Sequence, residues 1–175
     1  MKKLYFLAFC ALVTPRLIAE VESSAERVHT PTPTPTPIPA PSKSTEPTEA
    51  QPKLPTIPLK IGTATVTAEV ADNDKSRTMG LMFRKGLEKD HGMLFVMSRV
   101  GPVGFWMKNT SIPLSIAYIN PDGRIMEIHD LEPFNEKTVR SQFPNILYAL
   151  EMRRGWFSDN AIFPGTAISG LPSLR

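Results

Sequence analysis

Alternating apolar and polar positions between residues 59 and 131 predict a series of short β-strands. Leu59 to Ala71 alternates on both sides of Gly62-Thr63, a pattern typical of a hairpin. The continuous apolar run from Met93 to Met97 predicts a strand that is buried on both faces. Phe105 to Thr110 alternates again and predicts a further strand.

A second hairpin is predicted by two alternating segments joined by Asn120-Pro121-Asp122-Gly123. Proline fixes the second position of a type I turn, and glycine is free to adopt positive φ at the fourth. The turn joins a strand over Leu114 to Asn120 to one over Arg124 to Leu131. In the second of these strands, Glu127 and His129 share one face because they are two residues apart.

Helical patterns are fewer and shorter. Asp72 or Asn73 can cap a helix that continues to about Met82, and a short helix is predicted after Gly155. Residues 146–153 fit both periodicities, and we interpret them as a strand; a last strand is predicted at 166–169. The fold class predicted is mainly β, a compact antiparallel β-barrel or sandwich with one or two short helices.

The first 58 residues have a different character. Lys2 and Lys3 precede an apolar run from Leu4 to Val13, and a small residue stands at Ala19, which predicts a signal peptide over residues 1–19. Ten prolines lie between Pro31 and Pro58, with no glycine or aromatic residue, which predicts a disordered linker over residues 20–58. The globular domain is then residues 59–175. We therefore expect an exported protein, periplasmic, envelope-associated or secreted, without a membrane span after cleavage.

Composition and charge narrow the classes of function. The single cysteine, Cys10, excludes an internal disulfide framework and a multi-cysteine metal site. The formal net charge of +3 falls to zero when Lys2, Lys3 and Arg16 are removed with the signal peptide. Phosphate-loop, dinucleotide-binding and nucleophile-elbow motifs are missing from the sequence. We expect no nucleic-acid partner, no cofactor and no bound metal.

The first candidate site is the polar face of the strand predicted over Phe105 to Thr110. Alternation places Trp106, Lys108 and Thr110 on one face, with Asn109 in the following turn. A flat indole beside an ammonium group and a hydroxyl can bind a sugar or another small polar ligand. The structural alternative is that Trp106 fills the core or its rim while Lys108 and Asn109 hold a tight turn.

Further candidates are ionisable. Arg84 and Glu151 can pair across the edge of the core, and Glu69 can meet Arg77 or Arg84. Glu127 beside His129 can serve acid–base chemistry, although a solvated polar strand face is the simpler interpretation. A metal site needs three or four protein ligands, and no second histidine has a suitable spacing.

The domain resembles the family named domain of unknown function 192 (DUF 192). The blocks that carry this resemblance occur in the family's order, with the Trp-Met-Lys-Asn-Thr block the most specific: Gly80–Arg84, Gly92–Phe95, Phe105–Thr110, Ile112–Leu114, Asp122-Gly123, Leu150-Glu151 and Gly155. The resemblance implies a mainly β fold and no established reaction. Ser115 and Thr166 stand where the resemblance leads us to expect aspartates.

Two hypotheses of function follow. The first is a non-enzymatic, monomeric binding module for a small polar ligand, a glycan or an envelope component, with its site at Trp106. The second is a small hydrolase-like enzyme of the cell envelope that uses Glu127 and His129, or Lys108 and Glu151.

Overall fold

The computed structural model describes residues 46–173. The predicted signal peptide, residues 1–19, and residues 20–45 of the predicted linker lie outside the described residues. Among the helices of the described part, none is long and apolar enough to cross a membrane.

The described residues form nine strands and two short helices, which confirms the mainly β fold class. In chain order the elements are β1 Thr56–Ile61, β2 Ala64–Ala71, α1 Asp74–Met79, β3 His91–Gly101, β4 Gly104–Phe105, β5 Leu114–Ile119, β6 Ile125–Leu131, β7 Val139–Arg140, β8 Ile146–Arg153, α2 Trp156–Asp159 and β9 Ile168–Ser169.

Seven of the strands form one curled sheet in the order β6-β5-β8-β3-β2-β1-β9, and β4 pairs with β7 in a small second sheet. Neighbours in the large sheet are antiparallel except β2 and β3, which run parallel because α1 and the following loop carry the chain across. The two edges approach each other where the Ile125 amide donates to the Thr166 carbonyl at 3.0 Å and the Ile168 amide donates to the Gly123 carbonyl at 2.8 Å. The sheet is therefore barrel-like, with one parallel pair that the antiparallel prediction did not include.

Both predicted hairpins are present. Strands β1 and β2 pair antiparallel around Gly62-Thr63, and β5 pairs with β6 across the Asn120–Gly123 turn. The segment of double periodicity is a strand, as interpreted: β8 lies between β3 and β5 and is buried along most of its length. Ladder pairing on both edges requires an extended backbone there, which explains why the helical alternative fails.

Two local predictions were wrong. Helix α1 ends at Met79 and not near Met82, because Gly80 follows with φ of 46°, a left-handed value that glycine adopts easily. The predicted strand over Phe105–Thr110 is limited to Phe105 at its start, and the chain then enters a turn in which Asn109 has φ of 54°. Asparagine tolerates that conformation better than most residues.

The ordered fold begins earlier than the predicted boundary at Leu59. Strand β1 starts at Thr56, and the side chain of Gln51 is buried, with Nε2 donating to the carbonyls of Ser76 and Gly80 at 3.2 and 2.9 Å. Pro58 fits within β1 because β9 reaches only Lys60 and Ile61 on that side, so the missing N–H leaves no ladder bond unmade.

Apolar side chains form two clusters, one on each face of the large sheet. The first, inside the curl, includes Leu59, Leu94 and Trp156. The second lies between the outer face and the segments that cross it, and it includes Met93, Phe95, Met107, Ile116 and Tyr118. The candidate site belongs to this second face.

Candidate functional site

One row of residues crosses five strands of the sheet and brings ionisable groups onto the second face. The register pairs Glu69 with Met93, Met93 with Glu151, Glu151 with Ile116, and Ile116 with His129. Directly paired residues project to the same side of a sheet. Residues far apart in sequence therefore share one surface, with Glu151 near the middle of the row.

Glu151 is the most unusual group in this row. The residue is only 4% exposed, and no hydrogen-bond partner for its carboxyl group is found within residues 46–173. Burial raises the pKa of this carboxyl to about 8, since a low-dielectric environment disfavours its charged form. At neutral pH the group is therefore mostly a protonated acid.

Glu151 lines a small cavity of about 40 Å³ on the second face. That volume suits one or two water-sized groups. The remaining walls come from the end of α1 and the residues after it, from β3, and from β4 and the segment after it: Arg77, Thr78, Met79, Gly80, Leu81, Met82, Phe95, Phe105, Trp106 and Thr110.

Trp106 belongs both to the cavity wall and to the protein surface. The residue is 43% exposed, which excludes the core position considered from the sequence. The Nζ atom of Lys108 lies 5.5 Å from the ring centre of Trp106, a distance typical of a cation–π contact. The same Nζ lies 2.6 Å from Oε1 of Glu46, and this hydrogen bond raises the pKa of Lys108.

The turn over Met107–Thr110 sets the position of Trp106. The Thr110 amide donates to the Met107 carbonyl at 3.1 Å, and the Phe83 amide donates to the Asn109 carbonyl at 2.8 Å. Asn109 thus joins the turn to the segment after α1 and does not line the cavity, whereas Thr110 is buried and does. The predicted neighbourhood of Trp106 and Lys108 is present, although a turn and not strand alternation creates it.

The predicted pairing of Arg84 with Glu151 was wrong. Arg84 instead forms an ion pair with Glu69, with Nη2 at 2.8 Å from Oε2, and both side chains are largely buried. Glu69 was the other partner that the sequence suggested for Arg84. Its Oε2 atom also accepts the Leu54 amide at 2.8 Å, which is one reason why the segment before β1 is ordered.

Glu127 and His129 form a dyad at the far end of the row. Nε2 of His129 lies 2.6 Å from Oε2 of Glu127, and Oε1 of Glu127 accepts the Gln142 amide at 2.8 Å. The carboxylate thus fixes both the imidazole and the loop after β7. Neither residue lines the Glu151 cavity, and no cluster of three metal-ligating side chains occurs within the part of the chain that the structure describes.

The DUF192 family (Uncharacterized ACR) matches residues 57–170 of the chain. The chain belongs to this family. Two solved structures have the same fold: a protein from Sinorhizobium meliloti 1021 described as a "putative transcription regulator", with 33% identity and a TM-score of 0.65, and a protein of unknown function from Novosphingobium aromaticivorans DSM 12444, with 31% identity and a TM-score of 0.63. The matches cover 69% and 66% of this chain, and 98% and 86% of those chains, respectively. A search of curated proteins finds no match.

Four of the sequence blocks that carry the DUF192 resemblance meet at the cavity. Gly80–Arg84, Gly92–Phe95, Phe105–Thr110 and Leu150-Glu151 each supply at least one wall residue. Two glycines in these blocks have structural reasons: Gly80 has φ of 46°, and a Cβ on Gly92 would lie 2.5 Å from the Glu151 carbonyl oxygen. The blocks therefore describe one site in space.

The two positions where this DUF192 member lacks an expected aspartate have structural roles. Ser115 Oγ donates to Asp130 at 2.6 Å and accepts the Gly155 amide at 3.2 Å. The Thr166 carbonyl accepts the Ile125 amide where the sheet edges approach. Neither residue lines the Glu151 cavity.

Sequence reasoning missed several residues of the cavity, above all Arg77, Phe95 and Phe105. Arg77 was considered only as an ion-pair partner of Glu69, and the apolar pattern indicated only that the two phenylalanines face the core. The local pattern does not reveal which residues border a void. Gln51 was missed because its proline-rich surroundings predict disorder. The sequence blocks that carry the DUF192 resemblance could have indicated the site, since they contain most of the residues that line the cavity.

Proposed function

We propose that this DUF192 protein is a non-enzymatic binding module for a small polar ligand, which it holds at the Glu151 cavity beside Trp106. One observation carries the proposal: a buried carboxyl group, with no hydrogen-bond partner among residues 46–173, lies in a cavity whose wall includes a half-exposed tryptophan. Four separate blocks of the sequence build this arrangement.

The energetic cost of the arrangement supports a binding role. Burial disfavours the charged form of the Glu151 carboxyl and raises its pKa to about 8, and nothing in the packing of β8 requires a carboxyl at this position. Strands β3 and β5 place Met93 and Ile116 opposite it, so an apolar side chain would suit its neighbours. A ligand that hydrogen-bonds to the carboxyl offsets the cost.

The size of the cavity indicates how a ligand is held. A volume of about 40 Å³ accepts an end group and not a whole sugar ring. The rest of the ligand then lies outside, where the exposed part of Trp106 offers a flat apolar surface and Lys108 a positive charge. A glycan or a polar component of the cell envelope has both a ring or chain to stack and polar end groups to insert.

The sequence before the domain supports a location outside the cytoplasm for this binding activity. Residues 1–19 have the layout of a signal peptide and residues 20–58 are rich in proline. We propose that the protein is exported and acts as a monomer in the periplasm, in the envelope or outside the cell, with the proline-rich segment as a semi-rigid spacer.

A nucleic-acid ligand is not part of the proposal, although one structural neighbour is described as a transcription regulator. Residues 46–173 contain 14 lysines and arginines and 14 acids, so they carry no excess of positive charge. Six of the 14 bases are also paired with acids: Lys53–Glu88, Arg77–Asp74, Arg84–Glu69, Lys108–Glu46, Arg153–Asp159 and Arg154–Glu132. Binding to a phosphate backbone depends on an excess of basic groups.

The second candidate function is a small hydrolase-like enzyme that uses Glu127 and His129. Their 2.6 Å contact is the observation that favours it, because a carboxylate bonded to one ring nitrogen orients an imidazole for proton transfer. Lys108 and Glu151 are a weaker pair, since Lys108 is bonded to Glu46 and does not line the cavity. Turnover of a bound compound that disappears in His129→Gln would favour this candidate.

Binding of a panel of sugars, polyols, amino acids and amines tests the main proposal. Calorimetry should detect saturable binding of at least one compound class to the wild-type protein, and Trp106→Ala should weaken it at least tenfold. Phe163→Ala is the matched control, because Phe163 is 61% exposed and does not line the cavity. The absence of binding across the panel, or equal binding by Trp106→Ala, would contradict the proposal.

A further inference from the structure

The cavity wall holds one acid, Glu151, which has no counter-ion on the wall when it ionises. Glu151 and Arg77 are the ionisable residues of the wall. Arg77 is engaged elsewhere, with Nη1 at 2.8 Å from the Val96 carbonyl and Nη2 at 2.6 Å from Oδ1 of Asp74. The carboxyl of Glu151 has no such partner among residues 46–173, so an ionised Glu151 needs a positive charge that these two wall residues do not supply.

The ionisable groups on the elements around Glu151 do not supply that charge. Burial, together with the nearby acids Glu151 and Glu127, raises the pKa of Tyr118 on β5, so its phenol stays neutral. The other groups on this face are paired with each other: Glu69 with Arg84, Glu127 with His129, and Lys108 with Glu46.

The rest of the wall also suits a cation with N–H donors. Phe95 and Phe105 are in edge-to-face contact with their centres 4.8 Å apart, and Trp106 adds a third aromatic ring. Aromatic faces attract cations. The Thr110 hydroxyl donates its hydrogen to the Lys108 carbonyl at 3.1 Å, so its oxygen is left as a hydrogen-bond acceptor.

We propose that the cavity binds the protonated primary amine of a small polar ligand, with Glu151 as counter-ion and Thr110 as a second acceptor. This inference rests on the proposed function and specifies its ligand class. A primary ammonium on one methylene group fits a cavity of about 40 Å³, whereas a larger quaternary ammonium does not.

The release of a proton from Glu151 predicts that the affinity for an ammonium ligand depends on pH, whereas the affinity for a neutral ligand does not require this release. The pKa of Glu151 in the free protein is about 8, so at pH 6 nearly every carboxyl carries a proton. Binding of an ammonium group requires the carboxylate, and the proton of Glu151 leaves to solvent. Affinity for an alkylamine should therefore rise about 50-fold from pH 6 to pH 8, since the ionised fraction rises from about 0.01 to about 0.5. The alkylamine itself stays charged in this range, as lysine does.

Calorimetric titrations with propylamine, 1-propanol and glucose at pH 6 and pH 8 test this inference on the purified full chain. Propylamine should bind about 50-fold more tightly at pH 8, and the two neutral probes should show no such change. Glu151→Gln should abolish the rise, and Glu49→Gln, an exposed acid, should keep it. A pH dependence of binding that is due to histidines would remain in both variants, so the comparison separates it from the effect of Glu151.

Each outcome separates the inference from the function on which it rests. If glucose or propanol binds in a Trp106-dependent way while propylamine shows no pH dependence, the ammonium inference fails and the binding function stands. If none of the three probes, and nothing in the wider panel, binds, both fail. Should Glu151→Gln not fold, the pH dependence of propylamine binding to the wild-type protein decides alone.

Discussion

The buried carboxyl of Glu151 lowers the stability of the folded protein as the pH rises. Its carboxyl group keeps a proton up to about pH 8 in the folded protein, whereas its ordinary pKa is 4.5. Between these values the folded state binds more protons than the unfolded state. By linkage, the contribution of Glu151 to the free energy of unfolding falls as pH rises through this window.

Glu151→Gln should remove that loss. At pH 8 we expect the variant to be more stable than the wild type, by on the order of 2–5 kcal/mol, and at pH 4.5 the two should be similar. Thermal unfolding measured by calorimetry from pH 4.5 to pH 8 checks this. Glu49→Gln serves as the exposed control and should follow the wild-type curve. Parallel curves for Glu151→Gln and the wild type would show that the carboxyl is solvated.

The residue scale is also where the sequence was least informative. Trp106 and Lys108 were selected correctly as neighbours from a strand alternation that does not exist. Arg84 was predicted to pair with Glu151, but in the structure it forms an ion pair with Glu69. Which acid meets which base depends on strand register across the sheet, and register between distant strands is set by tertiary packing, which a single sequence does not display.

At the scale of elements, the segment before β1 behaves as part of the domain. Gln51 donates to two carbonyls at the end of α1, and the Leu54 amide donates to Glu69. The Gln51 side chain gives the Gly80 carbonyl a donor and adds a second donor to the Ser76 carbonyl, which also accepts the Gly80 amide at 2.9 Å. Gly80 is itself a wall residue of the cavity, so the segment supports the site.

Gln51→Ala should lower the free energy of unfolding by about 1–3 kcal/mol, because the Gly80 carbonyl loses its donor and the Ser76 carbonyl keeps only the Gly80 amide. Thr48→Ala, at an exposed position of the same segment, should have little effect. Urea unfolding of the three proteins measures this difference. Identical midpoints for Gln51→Ala and the wild type would show that the segment does not stabilise the fold.

Element types were predicted well where the periodicity was local and strong. The β1–β2 and β5–β6 hairpins depend on turn residues and alternation within about 20 residues, and both are present. The segment after Phe105 was predicted to be a strand because its apolar and polar residues alternate, but it forms a turn. Two long-range hydrogen bonds hold this turn: the Met107 amide donates to the Asn135 carbonyl, and the Phe134 amide donates to the Thr110 carbonyl. The parallel β2–β3 pair had no local signature.

At the scale of the whole molecule, the curled sheet creates the site by bringing four distant blocks of the sequence together. Block Leu150-Glu151 lies on β8, and the other three come from the segment after α1, from β3, and from β4 with the turn that follows it. The fold class could be predicted from the number of short strands and their turns. The cavity could not, because a void is a property of how side chains from all these elements fit together.

The two tryptophans of the chain allow one direct measurement of the central claim. Trp106 is 43% exposed and lines the cavity, whereas Trp156 is buried and its Nε1 donates to Asp90 at 2.9 Å. The two indole N–H signals in a nitrogen–proton NMR spectrum can be assigned with Trp106→Phe. Titration with propylamine and with glucose at pH 8 should shift the Trp106 signal to saturation with at least one probe and leave the Trp156 signal unchanged. A Trp106 signal that stays fixed with both probes, or moves only as much as that of Trp156, would contradict a ligand site at the Glu151 cavity.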